Sequence, residues 1–275
     1  MRALSPAASV VAASVIAAVT MALPHAQQAA DVTTVPFSDP ARIGTIRVAM
    51  HSGGITIRGG NRRDVVVTSR GDEDRPRRNT PAPPGLTRLN QPTRLVITEE
   101  NNQIAIQGGT NNRPGDVEVQ VPTRVNLNLA AHNNGDILVE NTDGDMEVTN
   151  HNGAIRLANV AGSVVANTHN GDVKVTLTRI TSEKAMAFAS FNGDVDVTLP
   201  ANAKANLKLR SDNGEIFTDF EIQMRPSTPA QSSRSSGGPT RIEVNQSIYG
   251  TINGGGPEFE LRTYNGNIFV RKAAQ

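Results

Sequence analysis

The chain has no cysteine and no tryptophan, and its 275 residues include only seven phenylalanines and two tyrosines. The lack of cysteine excludes disulfide bonds, thiolate metal sites, iron–sulfur clusters and a cysteine nucleophile. So few aromatic residues are unlike a surface that stacks the bases of single-stranded nucleic acid. The 27 basic and 26 acidic residues nearly cancel, so the chain has no basic field for phosphate groups. We therefore expect no nucleic-acid partner.

The start of the chain has the pattern of a secretory signal peptide, which we place at residues 1–26. Arg2 is the only charged residue before Asp31, and an alanine-rich apolar run extends from Ala7 to Leu23. Small residues that suit cleavage follow this run. The alternative is a membrane anchor, but the run is at the lower limit of length for spanning a bilayer. We expect an exported protein that is periplasmic, cell-surface or secreted and has no membrane span after cleavage.

Apolar and polar residues alternate through most of the remaining chain. Alternation over a few residues predicts strands that are buried on one face. The clearest segments are 43–48, 55–57, 65–67, 95–97, 104–106, 117–121 and 125–129. The segment nearest to a helical pattern, Ser182–Ala189, fits alternation equally well. We predict an all-β fold class.

A turn motif, Asn-Gly-Asp or a variant of it followed by an aliphatic residue, recurs with a period of nine. The glycines that mark this period are Gly135, Gly144, Gly153, Gly162 and Gly171. Asn-Gly turns the chain sharply, and residues two and four positions after each glycine point to one face. A unit this short cannot bury its own apolar face, whereas stacked units bury a continuous core. We predict a single-stranded β-solenoid with two units per coil; a meander of hairpins is the structural alternative.

Two segments interrupt the repeats, at residues 71–92 and 224–239. The first is rich in proline and charge, and the second in proline, serine and glycine. We interpret both as loop insertions in one solenoid domain at residues 43–275, because the strand pattern resumes after each. Residues 27–42 would form an N-terminal lead. We expect Val270–Lys272 to lie in the last coil, where charge discourages end-to-end pairing.

The repeated Asn-Gly-Asp-(Val/Ile) units, together with the glycine-rich run from Gly254 to Ile268, resemble a known bacterial family. This is the "putative adhesin" domain family of β-solenoid proteins, which is similar to the head domains of autotransporter adhesins. The resemblance covers residues 43–273. It implies a β-solenoid fold and a surface or periplasmic location, and it supplies no catalytic residues.

Histidines precede several of the turns. His132, His151 and His169 come just before Asn-Gly motifs, and their spacing predicts that His151 and His169 lie one above the other in successive coils. Stacked imidazoles are candidate metal ligands. Phe191, Asp212 and Tyr264 occupy the equivalent place in other repeats. The alternative is a plain side-chain ladder, which Phe191 and Tyr264 would continue. We favour the ladder, and we expect no bound metal and no cofactor.

Acidic residues recur directly after the turn glycines. They are Asp136, Asp145, Asp172, Asp194 and Glu215. A nine-residue period with aspartate is also found in calcium-binding β-rolls, whose repeat is Gly-Gly-x-Gly-x-Asp. This chain has one glycine per unit and no second acidic ligand. Oxygen ligands would be too sparse here for calcium. We therefore expect these carboxylates to accept hydrogen bonds from backbone N–H groups.

The sequence contains no catalytic motif of the kinds that can be read locally. Nucleophile elbows, phosphate-binding loops and dinucleotide fingerprints are absent. Polar faces rich in asparagine and threonine suit sugars, and Phe217 and Phe269, expected to face outward, are the candidate binding residues. We predict a non-enzymatic surface or envelope adhesion or scaffold module that binds an envelope or extracellular glycan or protein. The alternatives are a polysaccharide-active β-helix enzyme and a periplasmic sensor partner that binds another protein.

Overall fold

The computed structural model describes residues 31–71, 95–108, 115–133, 135–180, 184–225, 231–233, 241–243 and 247–274. All regular elements in these residues are β-strands, in agreement with the alternating pattern. The strands in chain order are β1 (Asp31–Pro36), β2 (Gly44–Ser52), β3 (Ile55–Gly60), β4 (Asp64–Gly71), β5 (Val96–Glu100), β6 (Gln103–Gly108), β7 (Gly115–Pro122), β8 (Val125–Asn133), β9 (Ile137–Glu140), β10 (Met146–Asn152), β11 (Ile155–Gly162), β12 (Val164–Asn170), β13 (Val173–Ile180), β14 (Met186–Asn192), β15 (Val195–Leu199), β16 (Ala205–Asn213), β17 (Ile216–Thr218), β18 (Gln223–Arg225), β19 (Gln231–Ser233), β20 (Arg241–Glu243), β21 (Ile248–Ile252), β22 (Glu258–Asn265) and β23 (Ile268–Lys272).

All of these strands except β19 and β20 lie in two long sheets of a β-solenoid, and each coil contributes one strand to each sheet. Sheet A has the order β1-β4-β7-β3-β9-β11-β13-β15-β23-β17. Sheet B has the order β18-β21-β16-β22-β14-β12-β10-β8-β2-β6-β5. Neighbouring strands in the body of both sheets are parallel, as a solenoid requires. The hairpin-meander alternative is therefore wrong for the body of the fold.

The predicted coil length is confirmed by the strand register in the centre of the stack. In sheet A, Ile155 pairs with Ile137. In sheet B, Met146 pairs with Val164. Both pairs are two nine-residue units apart, so one coil consumes two turn motifs. Of the segment with the ambiguous pattern, Met186 to Ala189 lie in strand β14 and continue the same register.

The core is formed by the aliphatic residues that alternate inward from the two sheets. The residues two and four positions after the turn glycines are buried, as predicted: Ile137, Val139, Met146, Val148, Ile155, Leu157, Val173, Val175, Val195 and Val197. Full burial of such a side chain stabilises the fold by about 1.5–3 kcal/mol. Because each coil covers the apolar face of the next, this stabilisation depends on stacking.

The coils near both ends of the stack are out of chain order. The β2–β3 coil lies between the β6–β7 and β8–β9 coils, and the β22–β23 coil lies between β14–β15 and β16–β17. The expectation that Val270–Lys272 ends the stack is therefore wrong. Strand β23, which contains these residues, pairs with β15 on one side and β17 on the other. The charges of Arg271 and Lys272 consequently protect no open edge.

Antiparallel strands cover three of the four sheet ends in the part of the chain that the structure describes. At one end of the solenoid, β4 pairs antiparallel with β7, and β5 pairs antiparallel with β6. At the other end, β21 pairs antiparallel with β16. The remaining end of sheet A is the three-residue parallel strand β17. Short or covered edges limit pairing with other chains.

Several predicted segments lie wholly or partly outside the described residues. The signal peptide at residues 1–26 lies outside them, as does all of the 71–92 segment except Gly71, which ends β4. Within the 224–239 segment, Met224 and Arg225 belong to β18, and β19 pairs antiparallel with β20, which follows the segment. The lead at 27–42 contributes β1, which pairs antiparallel with β4. No helix among the described residues is long and apolar enough to cross a membrane.

Candidate functional site

The corner where sheet B turns into sheet A repeats similar side chains in most of the described coils. Because the parallel strands are in register, equivalent residues of the turn motif stack along the solenoid axis. Four positions recur at this corner: a buried hydroxyl or amide, an exposed ring, an asparagine, and a carboxylate or amide after the glycine. Each position forms its own ladder, and each ladder has a different physical role.

The exposed rings form a continuous stack, here called the ring column. Its members in spatial order are His51, His132, His151, His169, Phe191 and Tyr264. Neighbouring centroids are 4.8–5.5 Å apart. The rings of His151 and His169 are 5.1 Å apart with an interplanar angle of 5°, which confirms the predicted stacking of these two residues. The ring column therefore has the geometry of a side-chain ladder.

This geometry does not suit a metal ion shared between neighbouring imidazoles. Two nitrogens bound to one Zn²⁺ are at most about 4.2 Å apart, since each Zn–N bond is about 2.0–2.1 Å long. The rings of His132, His151 and His169 are nearly parallel, and their centroids are 4.9–5.1 Å apart, which is longer than this limit. Within the described residues, no group of three or more His, Asp or Glu side chains is arranged to hold a metal ion.

The next position along the chain forms an asparagine ladder beside the ring column. The Nδ2 group of each asparagine after the first donates to the Oδ1 atom of the preceding member at 2.7–3.3 Å. The members in spatial order are Asn133, Asn152, Asn170, Asn192, Asn265 and Asn213. Such a ladder stabilises one register of the coils, because a coil that slipped along its neighbour would leave its asparagine amide without hydrogen-bond partners.

The residues after several of the turn glycines accept hydrogen bonds from backbone N–H groups of the neighbouring coil. Asp136 Oδ1 accepts the N–H of Ala154 at 2.9 Å, and Asp194 Oδ1 accepts the N–H of Asn267 at 2.7 Å. Asp172 accepts the N–H of Asp194 in the same way. These contacts confirm the predicted backbone hydrogen bonds for these three carboxylates. Asp145 differs, because its Oδ2 atom pairs with Lys184 Nζ at 2.8 Å.

Buried polar side chains satisfy the carbonyl groups of the turn glycines, a feature that the sequence analysis missed. Thr168 Oγ1 donates to the Gly153 carbonyl at 2.9 Å, and Ser190 Oγ donates to the Gly171 carbonyl at 2.8 Å. Ser211 and Thr263 donate their hydroxyl groups in the same way, and Asn150 donates its side-chain amide. These five residues are here called the hydroxyl ladder. The signal was a Ser, Thr or Asn two residues before the motif asparagine, on the buried side of the alternation.

The turn glycines are required by the close approach of successive coils. A Cβ atom on Gly171 would collide with the Gly153 carbonyl oxygen, and the φ angle of Gly171 is 143°. L-residues with a side chain rarely adopt this region of φ. The recurrence of glycine every nine residues in the sequence therefore reflects contact between backbones as well as turn formation.

Phe217 and Phe269 face outward from sheet A and stack on each other, with centroids 5.3 Å apart. Phe269 is also covered by the Arg271 guanidinium, which lies 4.7 Å from the ring centroid and pairs with Asp196 at 3.0 Å. Phe217, in the last strand of sheet A, is 45% exposed. The predicted outward orientation is confirmed, whereas a binding role for these two residues stays a prediction.

Charged side chains on the outer faces are engaged in pairs between coils. Arg58 Nε lies 3.7 Å from Glu118 and 3.4 Å from Glu140. Lys208 Nζ lies 2.9 Å from Glu260, and this hydrogen bond raises the pKa of Lys208 above its usual value. Exposed pairs of this kind contribute little stability. Their consequence is that neighbouring charges of opposite sign offset each other over much of the outer surface.

The chain is similar to one family model and to two crystal structures. The model described as Toastrack DUF4097 matches residues 32–271. A "putative cell adhesion protein" from Clostridium sporogenes ATCC 15579 is similar at 8% identity and a TM-score of 0.45, covering 89% of this chain and 100% of its own. A "putative adhesin" from Bacteroides fragilis NCTC 9343 is similar at 9% identity and a TM-score of 0.37, covering 90% of this chain and 98% of its own. No curated protein matches the chain.

Proposed function

The chain belongs to the Toastrack DUF4097 family, and from this premise we propose that it is an exported, non-enzymatic β-solenoid that serves as a surface or envelope adhesion or scaffold module. The observation that carries the proposal is the continuous in-register stacking of the corner ladders. The ring column alone links six coils at 4.8–5.5 Å. An outer face that repeats at one short interval suits a partner that also repeats, such as a polymer.

The proposed mechanism is avidity on a rigid surface. The residues that one coil adds to the ladders, here called a rung, offer few contacts. Successive rungs can bind one partner without a new loss of translational freedom. The asparagine and hydroxyl ladders hold the rungs in one register, so little ordering cost remains when a polymer binds. The segments that interrupt the repeats in the sequence, residues 71–92 and 224–239, are proposed to add specificity.

Two features support export and the absence of catalysis. The pattern of Arg2 followed by the apolar run Ala7–Leu23 is typical of a signal peptide. On the outer faces, carboxylates such as Asp136 and Asp196 are engaged by arginines or by backbone N–H groups. A glycosidase needs two carboxyl groups that flank a substrate and are available to it.

Co-sedimentation tests the adhesion role. Mature protein beginning at Gln27 is mixed with insoluble peptidoglycan, with other envelope polysaccharides and with whole cells, each with and without a chelator. Saturable pelleting with one polymer, unchanged by the chelator, is the expected result. A globular protein of similar net charge measures nonspecific trapping. Absence of pelleting with all of these would contradict the glycan role and would direct the search to a protein partner by crosslinking in the periplasm.

The same polymers test the non-enzymatic assignment. Incubation of soluble fragments with the mature protein is expected to release no new reducing ends or unsaturated products. Turnover of any of these polysaccharides would contradict the proposal and would support the enzyme alternative.

A further inference from the structure

The outer face of sheet B carries a shallow trough beside the ring column. The trough floor is formed by one row of small side chains in register, two positions before the rings: Ala49, Ala130, Thr149, Asn167 and Ala189. Ala130 and Thr149 are exposed, and Ala49 is half-buried. Three of these residues, Ala49, Ala130 and Thr149, line a concave region together with the column rings His132 and His151. Val96 in β5 lies at the end of the same row. This arrangement is here called the alanine trough.

The wall of the alanine trough presents ring edges rather than ring faces. His132 and His151 each have a ring stacked on both faces, with centroids 4.9–5.5 Å away. Both residues are nevertheless exposed, so the exposed part of each ring is its edge. An imidazole edge carries a nitrogen donor or acceptor. The wall therefore presents one hydrogen-bonding ring edge per coil at His132, His151 and His169, whose ring faces are covered by their neighbours, whereas the edge of Phe191 carries no such group.

The direction of the trough excludes strand addition by a peptide. The trough crosses the strands of sheet B, whose backbone groups are already paired with both neighbouring strands. A peptide strand binds through backbone pairing at a sheet edge. Its side chains repeat on one face about every 6.6–6.8 Å, whereas strands in a sheet lie about 4.8 Å apart. An extended peptide would therefore lose register with the rungs within a few residues.

The charge of the trough floor indicates an uncharged ligand. All five floor residues from β2 to β14 are alanine, threonine or asparagine. Arginines enter this row only further along, at Arg262 and Arg210 in β22 and β16. Nucleic acid and acidic polymers are held mainly by lysine and arginine. The methyl groups of the floor suit C–H surfaces, while Thr149, Asn167 and the imidazole edges suit hydroxyl and amide groups.

We infer that the alanine trough binds an extended, neutral, β-linked glycan whose axis runs along the solenoid, with about one sugar per coil. A pyranose ring in such a chain advances by a distance close to one strand spacing, so successive sugars meet equivalent rungs. This inference rests on the proposed adhesion function and names the face and the ligand class. Sugars would lie with their C–H faces on the floor and their hydroxyl groups beside the imidazole edges.

The experiment fills the floor without touching the core. Ala49→Gln combined with Ala130→Gln places two longer side chains in the trough, while Ala158→Gln on the outer face of sheet A is the matched control. Ala158 is half-buried and pairs in register with Glu140, away from the trough. The probes are chitohexaose and cellohexaose in calorimetry and insoluble peptidoglycan in co-sedimentation. Thermal melting checks that all three proteins are folded.

The wild-type protein and Ala158→Gln are expected to bind at least one hexasaccharide with equal affinity, and the double variant to bind at least about tenfold more weakly. Pelleting on peptidoglycan should fall in parallel. Equal pelleting by all three proteins would contradict glycan binding in the alanine trough but would still agree with the proposed adhesion function. Failure of the wild-type protein to pellet with any envelope polymer would contradict both the trough assignment and the glycan-adhesion function.

A second measurement keeps the inference testable if the double variant does not fold. NMR spectra of the wild-type protein are recorded during titration with chitohexaose. Shifts are expected at the methyl groups of Ala130 and Thr149 and absent at Ala158. Shifts at Ala158, or shifts confined to Phe217 and Phe269, would overturn the assignment of the site.

Discussion

The imidazole of His169 lies face to face on the phenyl ring of Phe191, with centroids 4.8 Å apart and planes 9° apart. The neighbouring asparagines of these coils are separated by 22 positions, whereas those of the preceding coil pair are separated by 18. The longer coil thus keeps the register of the corner and accommodates its additional residues elsewhere. Both residues supply a flat ring that stacks, so the ladder continues from histidine to phenylalanine.

Metal titration tests this interpretation of the ring column. Mature protein purified without an affinity tag is titrated with Zn²⁺, Ni²⁺ and Cu²⁺ in a calorimeter. We expect no saturable uptake, because the parallel rings of His132, His151 and His169 hold neighbouring nitrogens too far apart for one ion. Stoichiometric uptake that is lost in His151→Phe would contradict the stacked geometry.

The turn glycines should be indispensable where successive backbones touch. Gly171→Ala is expected to lower the free energy of unfolding by about 1–3 kcal/mol, because the new Cβ meets the Gly153 carbonyl at a φ of 143°. Gly60→Ala is the matched control, since a Cβ there has no atom within 4 Å. It should change stability by less than about 0.5 kcal/mol. Urea denaturation measures both, and equal effects would refute the close-contact explanation.

The carboxylate of Asp194 should act as a backbone acceptor and not as a calcium ligand. Asp194→Ala removes the acceptor of the Asn267 N–H and should cost about 1 kcal/mol of unfolding free energy. Asp194→Asn keeps an oxygen in place and should be nearly neutral, because Asn267 already performs this role for Glu215.

Calcium provides the complementary control for the same residue. The melting temperature of the wild-type protein should be identical in millimolar Ca²⁺ and in chelator. A rise in melting temperature with Ca²⁺ that is absent in Asp194→Asn would contradict the assignment of this carboxylate to the backbone.

The contact between Ser38 and the β5–β6 turn should make stability depend on pH. The Ser38 hydroxyl donates to Glu99 Oε1 at 2.6 Å, and this hydrogen bond lowers the pKa of Glu99 from its usual value of 4.5. A carboxyl group whose pKa is lowered in the folded state adds stability above its unfolded pKa. That contribution disappears as the pH falls through the lower folded value.

Glu99→Gln should therefore be less stable than the wild type at pH 7, and the difference should shrink once the pH is well below 4.5. Urea denaturation at both pH values measures this difference. A difference that stays constant or grows on acidification would show that the charge of Glu99 is not what the Ser38 contact stabilises.

The centre of the solenoid could be predicted from the sequence because the period of nine is unbroken there. Glycine spacing gave the coil length, and alternation gave the inward residues such as Ile155 and Leu157. The ring stack of His151 on His169 followed from the same spacing. Each of these features depends on residues that are close in sequence, so local patterns are sufficient.

The order of the outer coils could not be predicted, because the repeats are too alike. Asn265 donates to Asn192, which is 73 positions away, and then receives the amide of Asn213. Any of the Asn-Gly coils offers the same ladder partners, so nothing local distinguishes this order from the chain order. The alanine trough was missed for a related reason, since its floor is one residue from each of five strands and has no motif of its own.

The most direct test of the account is the dependence of binding on glycan length. Calorimetry with N-acetylchitooligosaccharides from the dimer upward reports how many rungs act together on one chain. If the floor from Ala49 to Ala189 binds about one sugar per coil, affinity should rise with each added sugar and level off near about five units. Affinity that is the same for the dimer and the hexamer, or no binding at any length, would contradict the claim that the solenoid binds a glycan along its axis.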